Sequence, residues 1–432
     1  MQVGNTDITM NKPFEISNYD PRYIQFIHNY SLEEVDFNAA LKSVLIFGIA
    51  KIPGVGEGLA LLLDIFWPQE KENLWEKIKD KVEKLIDQNA LQIIELILSG
   101  DIKQFEERIK TVNSEILGKK LKDASNHYMN IAEDLVGFEK KFIFADLKRL
   151  DKKAINLYVL PLYSTTVLMK VSYYITGIQK AELIGLNESQ TTRLKKYLNS
   201  LIHDSKGVNY YIKTLNEDRI DATYDDAPPD EIFDAMMYTR SFAAINGLEY
   251  IPIWNKMVEL HSLDTECYVD VISYSKLFGR QTPDLAKQAI AVEMTQPLTP
   301  DLLNNGQRNK IKSITGYIRR IGGSPRVGGG KIIFENGTNY QFGTITNELV
   351  YKELNGALIN NLVVYGNKAI DEATFYFSDG SQLSFGERAY PPTYHEFKLS
   401  GHHIVSFYIT SDAPSLAGQA ANIAVAYQLT NK

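Results

Sequence analysis

Cysteine is almost missing from this chain: 432 residues hold one, Cys267. An intramolecular disulfide is therefore impossible, and the redox compartment leaves no mark on the sequence. Excess positive charge is missing too. Lys and Arg number 46 against 53 Asp and Glu, for a net charge of -7 and a pI near 5.7, which argues against a nucleic-acid binder. The first 21 residues are polar and lack a basic segment followed by an apolar run, so no cleavable secretory signal is expected. Release from the producing cell would need another route.

Catalytic signatures are also lacking. No G-x-S-x-G pentapeptide is present, so an esterase has no nucleophile elbow. His395-Glu396 opens like a zincin motif, but Leu399 stands where the second histidine is required. His402 and His403 are adjacent in an apparent strand and face opposite ways, a poor metal geometry. Gly54-Val55-Gly56-Glu57-Gly58 follows no strand and precedes no Lys-Ser/Thr, so it is neither a dinucleotide turn nor a phosphate loop. Cys267 has no basic neighbour in sequence. The expectation is a protein that is not an enzyme and uses no metal or cofactor.

What is present is organised around residues 154–178, AINLYVLPLYSTTVLMKVSYYITGI, whose one charge is Lys170. As a single helix it would run roughly 37 Å, against about 30 Å for a bilayer's hydrocarbon core. Apolar residues occur on every side of it, diluted by Asn156, Ser164, Thr165, Thr166, Ser172 and Thr176. A helix apolar all round belongs at the centre of a bundle or inside a membrane. Pro161 removes one backbone donor and is expected to kink it.

Other helices surround this segment in sequence. Residues 1–31 read as an arm with little regular structure. Segments 32–52 and 59–66 read as apolar helical pieces separated by a Pro53-Gly54 turn, and Asn73 as the N-cap of a long helix. Tyr128, Ile131, Leu135, Phe138, Phe142 and Ala145 recur at 3,4,3,4,3 spacing, which predicts one helix over 123–147. Its opposite face carries Asn130, Glu133, Asp134 and Lys141. Two further helices follow, one bearing Leu194, Leu198, Leu201, Val208, Tyr211 and Leu215, the other Phe233, Met236, Ala243, Leu248, Ile251 and Trp254. Residues 32–275 are thus expected to form a bundle of about seven helices around the central one. Proline and an Asn-Asn-Gly turn mark 276–307 as a linker.

From residue 308 to 432 the period becomes two. Asn336-Gly337, Asn355-Gly356, Asp379-Gly380 and Ser400-Gly401 fall between alternating apolar runs, a strong hairpin signal. The C-terminal part is expected to be all-β and built of hairpins; a prism of three sheets and a two-sheet sandwich both fit.

Several blocks resemble a known family. Ile52-Pro53-Gly54-Val55-Gly56-Glu57-Gly58-Leu59, then Leu63-Asp64-Ile65-Phe66-Trp67-Pro68, Trp75 and Val82-Glu83-Lys84-Leu85-Ile86-Asp87-Gln88 are similar to the start of the helical domain of three-domain Cry delta-endotoxins. Leu160-Pro161-Leu162-Tyr163 resembles that domain's central helix. The two-part layout and Ile272-Ser273-Tyr274-Ser275 after the last helix resemble the PirB components of binary PirA/PirB insecticidal toxins. This resemblance implies a pore-forming helical domain and a β-prism like the receptor-binding Cry domain II. It also implies a PirA-type partner subunit, a host cell membrane with a receptor, and an oligomer in that membrane. In such a mechanism Leu157, Leu160, Pro161, Leu162, Val167, Leu168, Val171 and Ile175 would insert, with Asn130, Glu133, Asp134 and Lys141 lining the lumen. The C-terminal G-x-x-x-D loop of jacalin-type lectins is absent, so sugar binding of that type is not expected.

Receptor contacts on such domains fall on hairpin tips. Segments 322–330 (GGSPRVGGG) and 386–394 (GERAYPPTY) supply Arg326, Arg388, Tyr390 and Tyr394, residue types favoured as interface anchors. The alternative is a non-lytic carbohydrate- or protein-binding adhesin whose helical part is only a scaffold.

Overall fold

A computed structural model describes residues 88–144, 152–227, 231–262, 267–279, 298–366, 369–389, 393–411 and 417–430. The arm at 1–31, the helical pieces expected before residue 88, most of the linker and Tyr390 lie outside these residues. Helix α1 (Gln88–Leu96) passes through a π turn (Ile97–Ile102) into α2 (Lys103–Leu117), and α3 (Leu121–Asp134) returns beside it. Next come α4 (Lys152–Tyr158), α5 (Leu160–Gln179), the short α6 (Ala181–Ile184), α7 (Glu188–His203), α8 (Val208–Asp226), α9 (Ile232–Ala243) and α10 (Tyr250–Leu260).

Four expected helices are divided. The helix expected over 123–147 stops at Asp134: Gly137 takes a left-handed conformation at φ 76°, and Phe138–Phe142 form a 3-10 turn. Glycine accepts that conformation without steric cost and so ends the helix. Phe138 and Phe142 stay buried, so the apolar spacing serves the core without a continuous helix. The central segment breaks at Val159, because Pro161 has no N–H for the carbonyl one turn back. Pro161 lies in the first turn of α5, where that donor is not needed. The stretch Leu194 to Leu215 is split between α7 and α8, and Phe233 to Trp254 between α9 and α10 through a π turn at Ala244–Leu248. Helix α7 begins at a capping box, in which Asn187 Oδ1 accepts from Gln190 N and Gln190 Oε1 accepts from Asn187 N, both at 2.9 Å.

Helix α5 is the axis of the bundle. Every residue from Leu160 to Ile175 is buried, as is Gly177, with α3, α7 and α10 packed around it. Three of its serine and threonine hydroxyls are satisfied locally or across the bundle, while the buried Ser172 hydroxyl has no partner among the described residues. Thr165 donates to Pro161 O (2.5 Å), Thr166 to Leu162 O (2.8 Å) and Ser164 to Asn246 O (2.6 Å).

The C-terminal part is antiparallel throughout. Strands β3 (Ile311–Ile321), β4 (Ser324–Phe334), β5 (Asn339–Gly343) and β6 (Leu349–Glu353) form one sheet in the order β5-β4-β3-β6. The other strands are β1 (Ile272–Tyr274), β2 (Phe278–Gly279), β7 (Ile359–Gly366), β8 (Ile370–Phe377), β9 (Gln382–Gly386), β10 (Tyr394–Phe397), β11 (His402–Ser411) and β12 (Ala420–Leu429). They share one hydrogen-bonded system that divides at β7, where β10 covers one edge and β11 joins only at Ile359. Three groups of strands therefore face one core. Phe407 sits at its centre, 5.1 Å from the Phe375 ring and 5.9 Å from Phe342.

Paired glycines let these faces approach. Gly316 and Gly330 are cross-strand partners; a Cβ on Gly316 would lie 2.5 Å from the Phe385 ring, and one on Gly330 2.9 Å from Phe407. Strand β1 lies at the end of the segment read as helical, and it pairs with β12. Ser241 of α9 donates to Tyr274 O and accepts from Tyr274 N, and Asp234 accepts from Leu277 N. These bonds dock the bundle onto β1 and β12. Gly316→Ala is expected to lower stability by about 1–3 kcal/mol through overpacking. The check is a lower urea midpoint at unchanged m-value.

Candidate functional site: the central helix and the Arg-Tyr end of the β domain

Lys170, the one charge of α5, is 1% exposed and meets the carboxylate of Glu139, itself 5% exposed. Glu139 sits in the 3-10 turn that Gly137 begins. Burial holds the Lys170 ammonium below its usual pKa, and the Glu139 carboxylate opposes that shift. Sequence reasoning found the lysine and missed its partner. No local spacing links residues 31 apart.

Tyrosines clamp α3 to α5. Tyr128 donates to Tyr173 O (2.5 Å), Tyr173 donates to Tyr128 O (3.1 Å), and their rings stack at 4.2 Å. Tyr174 donates to Ala132 O at 3.2 Å. Burial raises the pKa of all three phenols, so they remain donors. A cavity of about 490 Å³ opens beside this assembly, with Tyr163, Tyr174, Tyr197 and Tyr211 around the ion pair.

The expected inserting residues Leu157, Leu160, Pro161, Leu162, Val167, Leu168, Val171 and Ile175 are all buried around this axis. No helix among the described residues is long and apolar enough to cross a membrane. Helix α5 keeps 20 residues after the break at Val159, so what it lacks is apolar character and not length. Hydroxyls and Lys170 then dilute its apolar character.

Asn130, Glu133, Asp134 and Lys141 are exposed on the outer surface of α3 and its 3-10 turn. Glu133 pairs with Arg193 of α7, Asp134 with Arg108 of α2 at 2.6 Å, and Lys141 with Asp101 of the π turn at 2.6 Å. In this form these charges are ties between helices.

The two Arg-bearing segments meet at one end of the β domain. Arg326 Nη1 donates to Glu387 O, and its Nε lies 3.3 Å from Asp371. The Arg388 guanidinium is 4.3 Å above the Tyr365 ring, with Nε 3.3 Å from Glu372. Tyr394, 65% exposed, has its ring 6.0 Å from Tyr365. The expectation of a loop over 322–330 is corrected: only Gly322 and Gly323 form the tip, and β4 begins at Ser324. The glycines of 328–330 serve close strand approach, since a Cβ on Gly329 would lie 2.2 Å from Phe342 O. Tyr365 was missed because it sits within a strand.

His402 and His403 do face opposite ways. His402 Nε2 lies 2.9 Å from Glu249 Oε1 at the bundle interface, and His403 Nδ1 lies 3.2 Å from Thr430 Oγ1. No group of three or more His, Cys, Asp or Glu among the described residues could hold a metal.

With this geometry in place, comparison with known proteins is direct. The family model for the delta endotoxin N-terminal domain matches residues 44–257. The helical half is a delta-endotoxin N-terminal domain. The delta-endotoxin likeness extends through the β half. PirB, solved by crystallography, superimposes at TM-score 0.80 with 29% identity, over 93% of this chain and 96% of its own. Insecticidal delta-endotoxin Cry8Ea1 of Bacillus thuringiensis gives a TM-score of 0.66 at 11% identity, over 95% of this chain and 74% of its own. Bacillus thuringiensis insecticidal crystal protein Cry7Ca1 gives 0.69 at 10% identity, over 92% and 75%. At such identities the Cry proteins speak to fold alone. No curated protein sequence matches the chain.

Glu139→Gln leaves a buried ammonium without its counter-charge and is expected to cost about 3–5 kcal/mol, whereas Glu139→Leu with Lys170→Met should be nearly neutral. Thermal unfolding of the three proteins measures the difference. The unfolded chain holds the Lys170 proton more tightly than the folded one. This group's contribution to stability therefore rises with pH between its lowered folded value and 10.5, and Lys170→Met should abolish that slope.

Proposed function

We propose that this chain is the PirB-type subunit of a binary insecticidal toxin, acting with a PirA-type partner. In this reading it binds a receptor on host gut epithelium and permeabilises the membrane as an oligomer. The observation that carries the proposal is α5, buried without a gap from Leu160 to Ile175 in a delta-endotoxin-like domain, within a chain matching PirB over 93% of its length. At roughly 1.5 Å per residue, the 20 residues of α5 span about 30 Å, enough to reach across a hydrocarbon core.

A helix with this many hydroxyls favours insertion alongside neighbours over insertion alone, because interhelical hydrogen bonds then satisfy its polar groups. Helix α3 is the natural companion, being joined to α5 by the tyrosine clamp. Asn130, Glu133, Asp134 and Lys141 would then turn toward water, since a charge facing lipid costs roughly 2.5–3.5 kcal/mol. Helix α5 supplies Leu160, Val167, Leu168, Val171 and Ile175 as apolar surface.

Dye release from liposomes, with and without a PirA-type subunit, tests permeabilisation. Absence of leakage in both arms would favour the adhesin. Within a conducting pore, Glu133→Lys with Asp134→Lys should shift the reversal potential toward anion selectivity in planar bilayers. Unchanged selectivity removes α3 from the lumen. Substituting Thr166 or Leu168 by Asp tests folding instead, as both side chains are buried.

At the β end, Arg388→Ala with Tyr394→Ala should weaken binding to target epithelial membranes by about tenfold or more, the scale of interface anchors. Leakage from receptor-free liposomes should stay unchanged, because these residues are remote in sequence from the helical domain.

A further inference from the structure

Where the chain enters β3, the β domain holds a second cavity, of about 360 Å³. Small-molecule sites fall in roughly the 300–1,000 Å³ range. Ile311, Leu354, Ile359 and Ile404 give it apolar walls. Its polar lining includes Arg308, Asn309, Lys310, Glu335 and His403.

Asn309 is 2% exposed, and its Oδ1 accepts from Asn336 N at 3.3 Å. Its Nδ2 has no acceptor among the described residues. Buried donors without a partner are rare in folded proteins and call for an explanation. The flanking cations are similarly uncompensated. Arg308 Nε donates to Asp270 O (3.1 Å) and Nη1 to Pro300 O (2.9 Å), both carbonyls, so its charge has no carboxylate partner among the described residues. Lys310 is exposed at the rim and forms no ion pair among the described residues. Glu335 lies on the same rim, its N–H bonded to Lys310 O at 2.9 Å, yet its carboxylate pairs with neither cation. Burial, with His402 and Lys310 nearby, pushes His403 down to about 4, so its imidazole is neutral near pH 7.

We propose that this cavity binds a small monocarboxylate with a short apolar body. Its carboxylate is held by Asn309 Nδ2, Arg308 and Lys310, and its carbon chain lies on Ile311, Leu354 and Ile359. Two cations face one carboxylate here, so one added negative charge balances the site, and Glu335 repels a second. The assignment is independent of the pore-forming reading.

The test uses the full chain with hexanoate as probe and hexanol as its neutral counterpart, by calorimetry and by NMR titration of His403. Hexanoate should bind and raise the His403 pKa by about one unit or more, as a nearby opposite charge does. Hexanol should bind about tenfold more weakly or worse, matching the loss of a charge-assisted hydrogen bond. Lys310→Gln, at the exposed rim, should weaken hexanoate comparably while folding normally by circular dichroism. Asn309→Asp keeps the acceptor for Asn336 N and supplies the missing anion itself; it should abolish hexanoate binding and raise His403 without ligand. Equal binding of hexanoate and hexanol, an unmoved His403, or undiminished hexanoate binding by folded Lys310→Gln would each overturn the proposal. If Asn309→Asp does not fold, Lys310→Gln and the hexanol comparison decide.

Discussion

A helix that is apolar on every side, yet carries one cation halfway along, sets the terms for the helical half. In water α5 must be covered completely, and Lys170 must be given an anion inside the cover. An ammonium buried alone is far too costly, so Glu139 has to arrive from elsewhere. The break at Gly137 serves this need: it turns the chain out of α3 into a 3-10 turn and brings Glu139 over the middle of α5. A straight helix through 123–147 would have kept the apolar spacing and sent the carboxylate elsewhere.

The cover is held by two kinds of polar contact with different weights. Tyr128, Tyr173 and Tyr174 bond to backbone carbonyls across the α3–α5 contact in a dry interior, where an unmade bond is costly. The links from α3 and its turn to the outer helices are exposed ion pairs, worth only about 0–1 kcal/mol each and weakened by salt. The polar contacts therefore bind α3 to α5 more firmly than they bind that pair to α2 and α7. Hydrophobic burial does the rest at about 25 cal/mol per Å² of apolar surface, and it acts without direction.

The two halves share a boundary that neither could leave bare. Every residue of β12 is buried, with the prism core on one side and the bundle core on the other. Its alanines at 420, 421, 424 and 426 suit this double contact, because a small side chain lets neighbouring elements come close. His402 and Glu249 meet across the same boundary with both side chains fully buried.

Much of this was legible in one dimension. The change from helical spacing to alternation, the Asn-Gly and Asp-Gly turns, and the burial of 160–175 follow from periodicity and backbone chemistry, which act over a few residues. Pro161 was legible as a kink because it lacks a donor, whereas the break at Gly137 was hidden by apolar spacing that continues through Phe142. Three-dimensional packing decided the rest. Glu139 became the partner of Lys170, Tyr365 the platform for Arg388, and the 328–330 glycines strand residues rather than a loop. Each depends on which surfaces meet across tens of residues, and no local spacing in a single sequence records that.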